Sequence, residues 1–127
     1  MKYYKLSLLL LGFVFISCDK CNDETEIAYQ EVYTARLANK GLCLHNTFTI
    51  ESESFDFSLV ANWTHPVTDV TYKNAFALKN LCELPETINE GDLFRFVLLE
   101  ENTTPDCINC LAISPTPPKK LFIKFVE

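Results

Sequence analysis

Six cysteines carry most of the chemistry open to this 127-residue chain: Cys18, Cys21, Cys43, Cys82, Cys107 and Cys110. The last two form Cys107-Ile108-Asn109-Cys110, a spacing that suits three tasks. A dithiol with a lowered thiolate pKa could exchange disulfides. Joined by Cys43 and Cys82, the pair could ligate zinc through four thiolates. The same four residues could equally form two structural bridges. Pro105 lies just before the motif and Ile113-Ser114-Pro115 just after it. That context places the motif in a loop or short strand rather than at the helix N-terminus that would stabilise a thiolate. A second CxxC knuckle for zinc is missing. The expectation is therefore two bridges, Cys107 to Cys110 and Cys43 to Cys82, with no metal and no cofactor. The alternative is a thiol-disulfide oxidoreductase using Cys107 and Cys110.

The N-terminus bears on compartment. Lys2 and Lys5 precede an apolar stretch from Leu6 to Ile16, and Ser17 supplies the small residue before a cut, which is the order of a secretory signal over residues 1–17. As a helix the apolar stretch would span about 16 Å, roughly half of a bilayer core, too short for a permanent anchor. Phe15-Ile16-Ser17-Cys18 resembles the lipobox of bacterial lipoproteins, although Phe15 stands where Leu is commonest. The resemblance implies that Cys18 is acylated and becomes the mature N-terminus, and two or more acyl chains hold a protein at a membrane stably. The alternative is an ordinary cleaved signal on a soluble secreted protein.

Residues 18–26 are polar after Cys18 and read as a flexible tether, leaving 27–127 as one domain. The acidic run in the tether resembles the surface-export signals of some Gram-negative lipoproteins. The expected location is the outer membrane of the cell envelope, facing the periplasm or the exterior. Cys21 has no assigned partner.

Charge removes one class of partner. Taking the two signal lysines from the eleven basic side chains leaves nine against seventeen acidic ones. A nucleic-acid surface needs clustered cations, and the single local cluster, Lys119, Lys120 and Lys124, reads as protection of a strand edge. Three glycines in the whole chain leave no glycine-rich phosphate loop. His45 and His65 have no nucleophile assigned to them by spacing. Asp92, Glu100, Glu101 and Asp106 could gather near one hairpin, but without the spacing of a calcium loop.

The elements that must position these residues are strands. Leu44, Asn46, Phe48 and Ile50 alternate with His45, Thr47 and Thr49, and Phe55, Phe57, Leu59, Ala61 and Trp63 alternate with mostly polar residues. Further strands are expected at Ile27–Leu37, Tyr72–Lys79, Leu93–Glu100 and Leu121–Val126, with one helical turn at most between Pro85 and Asn89. The strands near Phe94 and Ile123 are apolar on both faces, which calls for a covering layer or marks an interaction patch.

Five or six strands in about 100 residues point to an all-β domain, a small antiparallel barrel of OB-like Greek-key order, with a β-sandwich as the alternative. Leu84-Pro85-Glu86, Glu90-Gly91-Asp92-Leu93-Phe94-Arg95-Phe96, Cys107 and Lys120-Leu121-Phe122-Ile123-Lys124 resemble a family of small bacterial envelope lipoproteins with an OB-like barrel and no assigned activity. The functional expectation is a non-catalytic, lipid-anchored protein whose barrel binds an envelope protein or glycan. By analogy with the fold, Trp63, His65 and the loop beginning at Thr103 and Thr104 are nominated as a binding rim.

Overall fold

In the computed structural model, which describes residues 30–107 and 110–127, the alternating patterns become six strands. They are β1 (Val32–Asn39), β2 (Thr47–Ile50), β3 (Ala61–Thr64), β4 (Thr71–Leu78), β5 (Leu93–Leu99) and β6 (Lys120–Val126). Cys18, Cys21 and the signal and tether segments lie outside the described residues, as do the first residues of the strand expected from Ile27.

Five strands close into a ring in the order β1-β2-β4-β6-β5, with β5 returning to β1, and β3 pairs with β4 as an added hairpin. The all-β expectation holds, but the barrel is mixed rather than antiparallel. Ala77 and Leu78 of β4 run parallel to Lys120 and Leu121 of β6, and a parallel pair needs a crossover connection rather than a hairpin. The register can be followed from Phe76 to Phe48 and Leu37, then through β5 and β6. It returns to β4 about ten residues further along, a stagger that tilts the strands steeply against the barrel axis.

Period-two alternation sends Phe48, Phe76, Phe94 and Phe96 inward with Leu37 and Ile123, all buried. Phe48 lies 5.4 Å from Phe76 and 5.6 Å from Phe94 between ring centroids, and Phe76 lies 5.9 Å from Phe96. So many rings fit a narrow barrel because small residues face them: Ala35 pairs directly with Phe94. Phe55 packs edge-on against Tyr33 at 4.9 Å and approaches Phe96, while Leu84 and Ile88 of the β4–β5 connection join the core near Phe94. Pro85 to Ile88 makes the one turn expected there. The two-faced apolar strands are partly covered. Val97, outward of Phe96, is buried, whereas Leu93 remains exposed.

The continuous strand expected from Phe55 to Trp63 is broken. Asp56 accepts hydrogen bonds from the Ser58 amide (3.0 Å) and hydroxyl (2.6 Å), capping a 3₁₀ turn over Phe57–Leu59. The turn reverses the alternation, so Phe57 is 42% exposed and Val60 is buried. These hydrogen bonds hold the Asp56 carboxyl below the usual carboxylate range. A shorter correction applies to β2, which starts at Thr47 because Leu42–Leu44 form a 3₁₀ turn.

The parallel pair is short, and the rest of the β6 edge is completed by side chains. Asn80, almost fully buried, accepts from the Ile123 amide (3.1 Å) and donates to the Ile123 carbonyl, standing in for the next residue of a strand. Glu83 accepts from the Phe125 amide at 2.8 Å, and Thr104 joins the pair by donating to Glu83 (2.6 Å) and accepting from Asn80 (3.1 Å). Asn80→Ala strands a buried amide and a buried carbonyl. It is expected to cost about 2–4 kcal/mol in urea unfolding, comparable to the roughly 3–5 kcal/mol expected for Phe96→Ala in the core. A loss below that of an exposed substitution such as Lys73→Ala would show that the seam is not needed.

Candidate functional site

The β1–β2 loop, Lys40 to Asn46, is held by its own backbone. Gly41 donates to Asn46 Oδ1 (3.0 Å), His45 to the Leu42 carbonyl (3.0 Å) and Asn46 to the Leu44 carbonyl (2.9 Å). Lys40 donates to Glu90 (3.0 Å), and Leu42 donates across to Ser114 Oγ (2.8 Å). Gly41 is required by close approach, since a Cβ there would collide with the His45 carbonyl and touch the Ser114 side chain. Cys43 and Leu44 both sit at positive φ, 56° and 65°, a conformation that costs energy for residues with side chains and survives where the surroundings impose it.

What imposes it is a bridge. Cys43 is bonded to Cys110 with Cα atoms 5.5 Å apart, and Cys82 is bonded to Cys107 at 5.9 Å. The expected partners are therefore exchanged. Cys107 and Cys110 are not joined to each other, and each anchors the long β5–β6 loop to a different connection, Cys110 to β1–β2 and Cys107 to β4–β5. Sequence proximity favoured the short bridge. In the fold, the long loop runs between two connections that each present a cysteine. All four described cysteines are in bridges, so none offers a thiolate.

Two clefts flank the β1–β2 loop. One, about 530 Å³, lies between Lys40, Cys43 and Leu44 on one side and Leu84, Glu86 and Ile88 on the other. The second, about 450 Å³, lies on the outer face of the barrel, with Ala77 and Lys79 of β4 and Lys120 of β6 below and His45 and Ile113–Thr116 at its sides. Both volumes fall in the range of small-molecule sites. Two polar atoms near the second cleft, His45 Nδ1 and Thr47 Oγ1, are buried without a hydrogen-bond partner among the described residues. His45 lines this cleft, whereas Thr47 is fully buried at the start of β2. Above the clefts the β5–β6 loop presents Leu111 (98% exposed) and Ile113 (79% exposed) to solvent.

The four residues nominated as a rim do not form one. Trp63 stacks on Tyr72 (6.3 Å, 22°) and lies 5.4 Å from His65 at the start of β4. Thr104 sits with Asn80 just past the end of that strand, about 25 Å away along an extended chain. Thr103 is exposed beside it. His65 organises its own turn, with Nδ1 accepting from the amides of Val67 (3.1 Å) and Thr68 (3.2 Å). The acidic residues considered for calcium are also separated, Asp92 preceding β5 and Glu100 following it, and among the described residues no His, Cys, Asp and Glu group of metal-ligating size forms. Sequence reading missed Lys79, Lys120, Asn80 and Glu83. Their roles follow from the parallel β4–β6 pairing, for which the sequence holds no local signal.

Non-reducing tryptic mapping checks the bridges. Gly41–Lys73, Asn80–Arg95 and Phe96–Lys119 are expected as a single species of three joined peptides. Gly41–Lys73 joined to Asn80–Arg95, with an internal bridge in Phe96–Lys119, would restore the sequential pairing instead. Comparison with protein-family models, with curated proteins and with solved structures finds no match to this chain.

Proposed function

We propose that this chain is a lipid-anchored cell-envelope protein whose barrel is a non-catalytic binding domain, and that the binding surface is the outer face of β2, β4 and β6 between the β1–β2 and β5–β6 loops. The observation that carries the reading is the Cys43–Cys110 bridge, which ties together the two loops that border the 450 Å³ cleft. A bridge placed there fixes a cavity in advance of its occupant, which lowers the ordering cost of binding.

The ring order supports the same surface. With the β3 hairpin set aside, the strands follow one another around the barrel as first, second, third, fifth and fourth, and the third and fifth are parallel. That order supports an OB-like reading, and OB folds bind oligonucleotides and oligosaccharides on the face of the second and third strands, between the loops joining first to second and fourth to fifth strands. In this chain those elements are β2, β4, the Lys40–Asn46 loop and the Glu100–Lys119 loop. The analogy is one of fold and lends support only to the location. The acidic chain fits a protein or glycan partner better than nucleic acid. Lipidation at Cys18 would hold the domain at the outer membrane, facing the periplasm or the exterior.

Two measurements test this on the full chain. Expressed in a Gram-negative host with an alkyne palmitate analogue, the wild type is expected to take up label and sediment with membranes, and Cys18→Ser to do neither. Equal labelling of the two would remove the anchor. In detergent, the wild type immobilised against fractionated envelope extract is expected to retain a component that Ala77→Trp, which fills the cleft floor, retains at least tenfold less. Trp63→Ala at the distant hairpin should retain it fully. Loss with Trp63→Ala and not with Ala77→Trp would move the binding surface to the hairpin.

A further inference from the structure

The outer-face cleft is charge-sorted in a way the rest of the protein is not. The chain is acidic, with a formal charge of −6, yet among the described residues those lining this cleft include Lys79 and Lys120 and no carboxylate. The neighbouring 530 Å³ cleft is lined by both Lys40 and Glu86, and a third, smaller depression beside the Cys82–Cys107 bridge by both Lys79 and Asp106.

Both lysines are placed by the barrel rather than by chance exposure. Ala77 is in register with Lys120, and Lys79 lies two residues beyond Ala77, so the two lysines border one cleft with Ala77 between them in the lining. Lys79 Nζ stands 5.0 Å from the centre of the Phe122 ring, also outward on β6, which fixes a side chain that would otherwise sample many rotamers. Leu81 and Ile113 supply apolar lining to the same cleft. His45, which lines this cleft, has an Nδ1 that is buried without a hydrogen-bond partner among the described residues. A buried polar atom without a partner costs free energy that an occupant or its bound water can recover.

The geometry points to a small organic anion as the occupant, a carboxylate or phosphate ester carrying an apolar arm, with the anionic group between Lys79 and Lys120 and the arm against Leu81 and Ile113. This assignment rests on the reading that the cleft is the binding surface. It does not choose between a free amphiphilic acid and the head of a lipid. Two cations attract a carboxylate or phosphate and repel an amine, and apolar lining adds affinity with each methylene it buries.

The test is calorimetric titration of the full-length protein in a non-ionic detergent below its micelle-forming concentration. The probes are octanoate, octyl phosphate, octanol and octylamine, followed by vesicles of phosphatidylglycerol or phosphatidylcholine. Octanoate and octyl phosphate are expected to bind, with affinity falling as salt rises, at least tenfold weaker in K79Q/K120Q, and absent in Ala77→Trp. Octylamine is expected not to bind. Unchanged disulfide connectivity and circular dichroism establish that both variants are folded, and Lys73→Gln, on the exposed part of β4, serves as a control for loss of a surface lysine and is expected to bind like wild type. Preference for anionic vesicles over the free acids would identify a lipid head as the source, and the reverse a free acid. Equal binding of octylamine and octanoate, or full binding by K79Q/K120Q, overturns the anion assignment. If Ala77→Trp still abolishes retention of the envelope component while none of the anions binds, this inference fails and the cleft reading stands. If Ala77→Trp affects neither, the cleft reading itself fails.

Discussion

Closure of the barrel rests on the contact between β4 and β6, where Ala77 and Leu78 meet Lys120 and Leu121 in parallel. Two residue pairs are a short seam for a strand of seven residues, and an open edge inside a small domain would leave backbone amides unpaired. Asn80, Glu83 and Thr104 complete the edge with side chains, and the Cys82–Cys107 bridge enters the same stretch of chain between Asn80 and Glu83. Ring closure in turn brings Lys79 beside Lys120, places the β5–β6 loop over the outer face, and lets Cys110 reach Cys43.

The phenylalanine core has a complementary role. Its inward residues come from all five strands of the ring and are large enough to fill it, provided that Ala35 faces them. Rigidity is thus concentrated inside the ring and at the bridged loop end, while the β3–β4 hairpin projects from it with Val67 and Val70 exposed around a turn fixed by His65.

Most strands were legible because one face is wet and the other dry, as at Leu93-Phe94-Arg95-Phe96. The misreadings share a cause. Phe55 to Trp63 has the period of a strand, but Asp56 and Ser58 form a local hydrogen-bonded turn that competes with it, and period alone does not weigh that competition. The cysteine pairing and the parallel seam depend on which distant segments meet, and that information resides in the assembled ring. The rim failed for the same reason. Trp63 and Thr104 look equivalent as loop-flanking polar or aromatic positions, yet β4 separates them by its full length. Lys79 carries no local motif, and Lys120 is legible only as one of a cluster of lysines at a strand edge.

The bridges are nested, Cys82–Cys107 inside Cys43–Cys110, and both depend on cysteines from the last fifth of the chain. As the chain emerges N-terminus first, Cys43 and Cys82 are available to each other well before Cys107 or Cys110 exists outside the ribosome or a transport channel. Oxidation in order of emergence therefore joins the wrong pair, and that bond must be exchanged before the β5–β6 loop can be tied down. Correct maturation becomes a race between thiol oxidation and synthesis of the final strand. A compartment that oxidises quickly needs a disulfide isomerase to release this chain from its first bond, whereas one that oxidises slowly lets the barrel choose the partners itself.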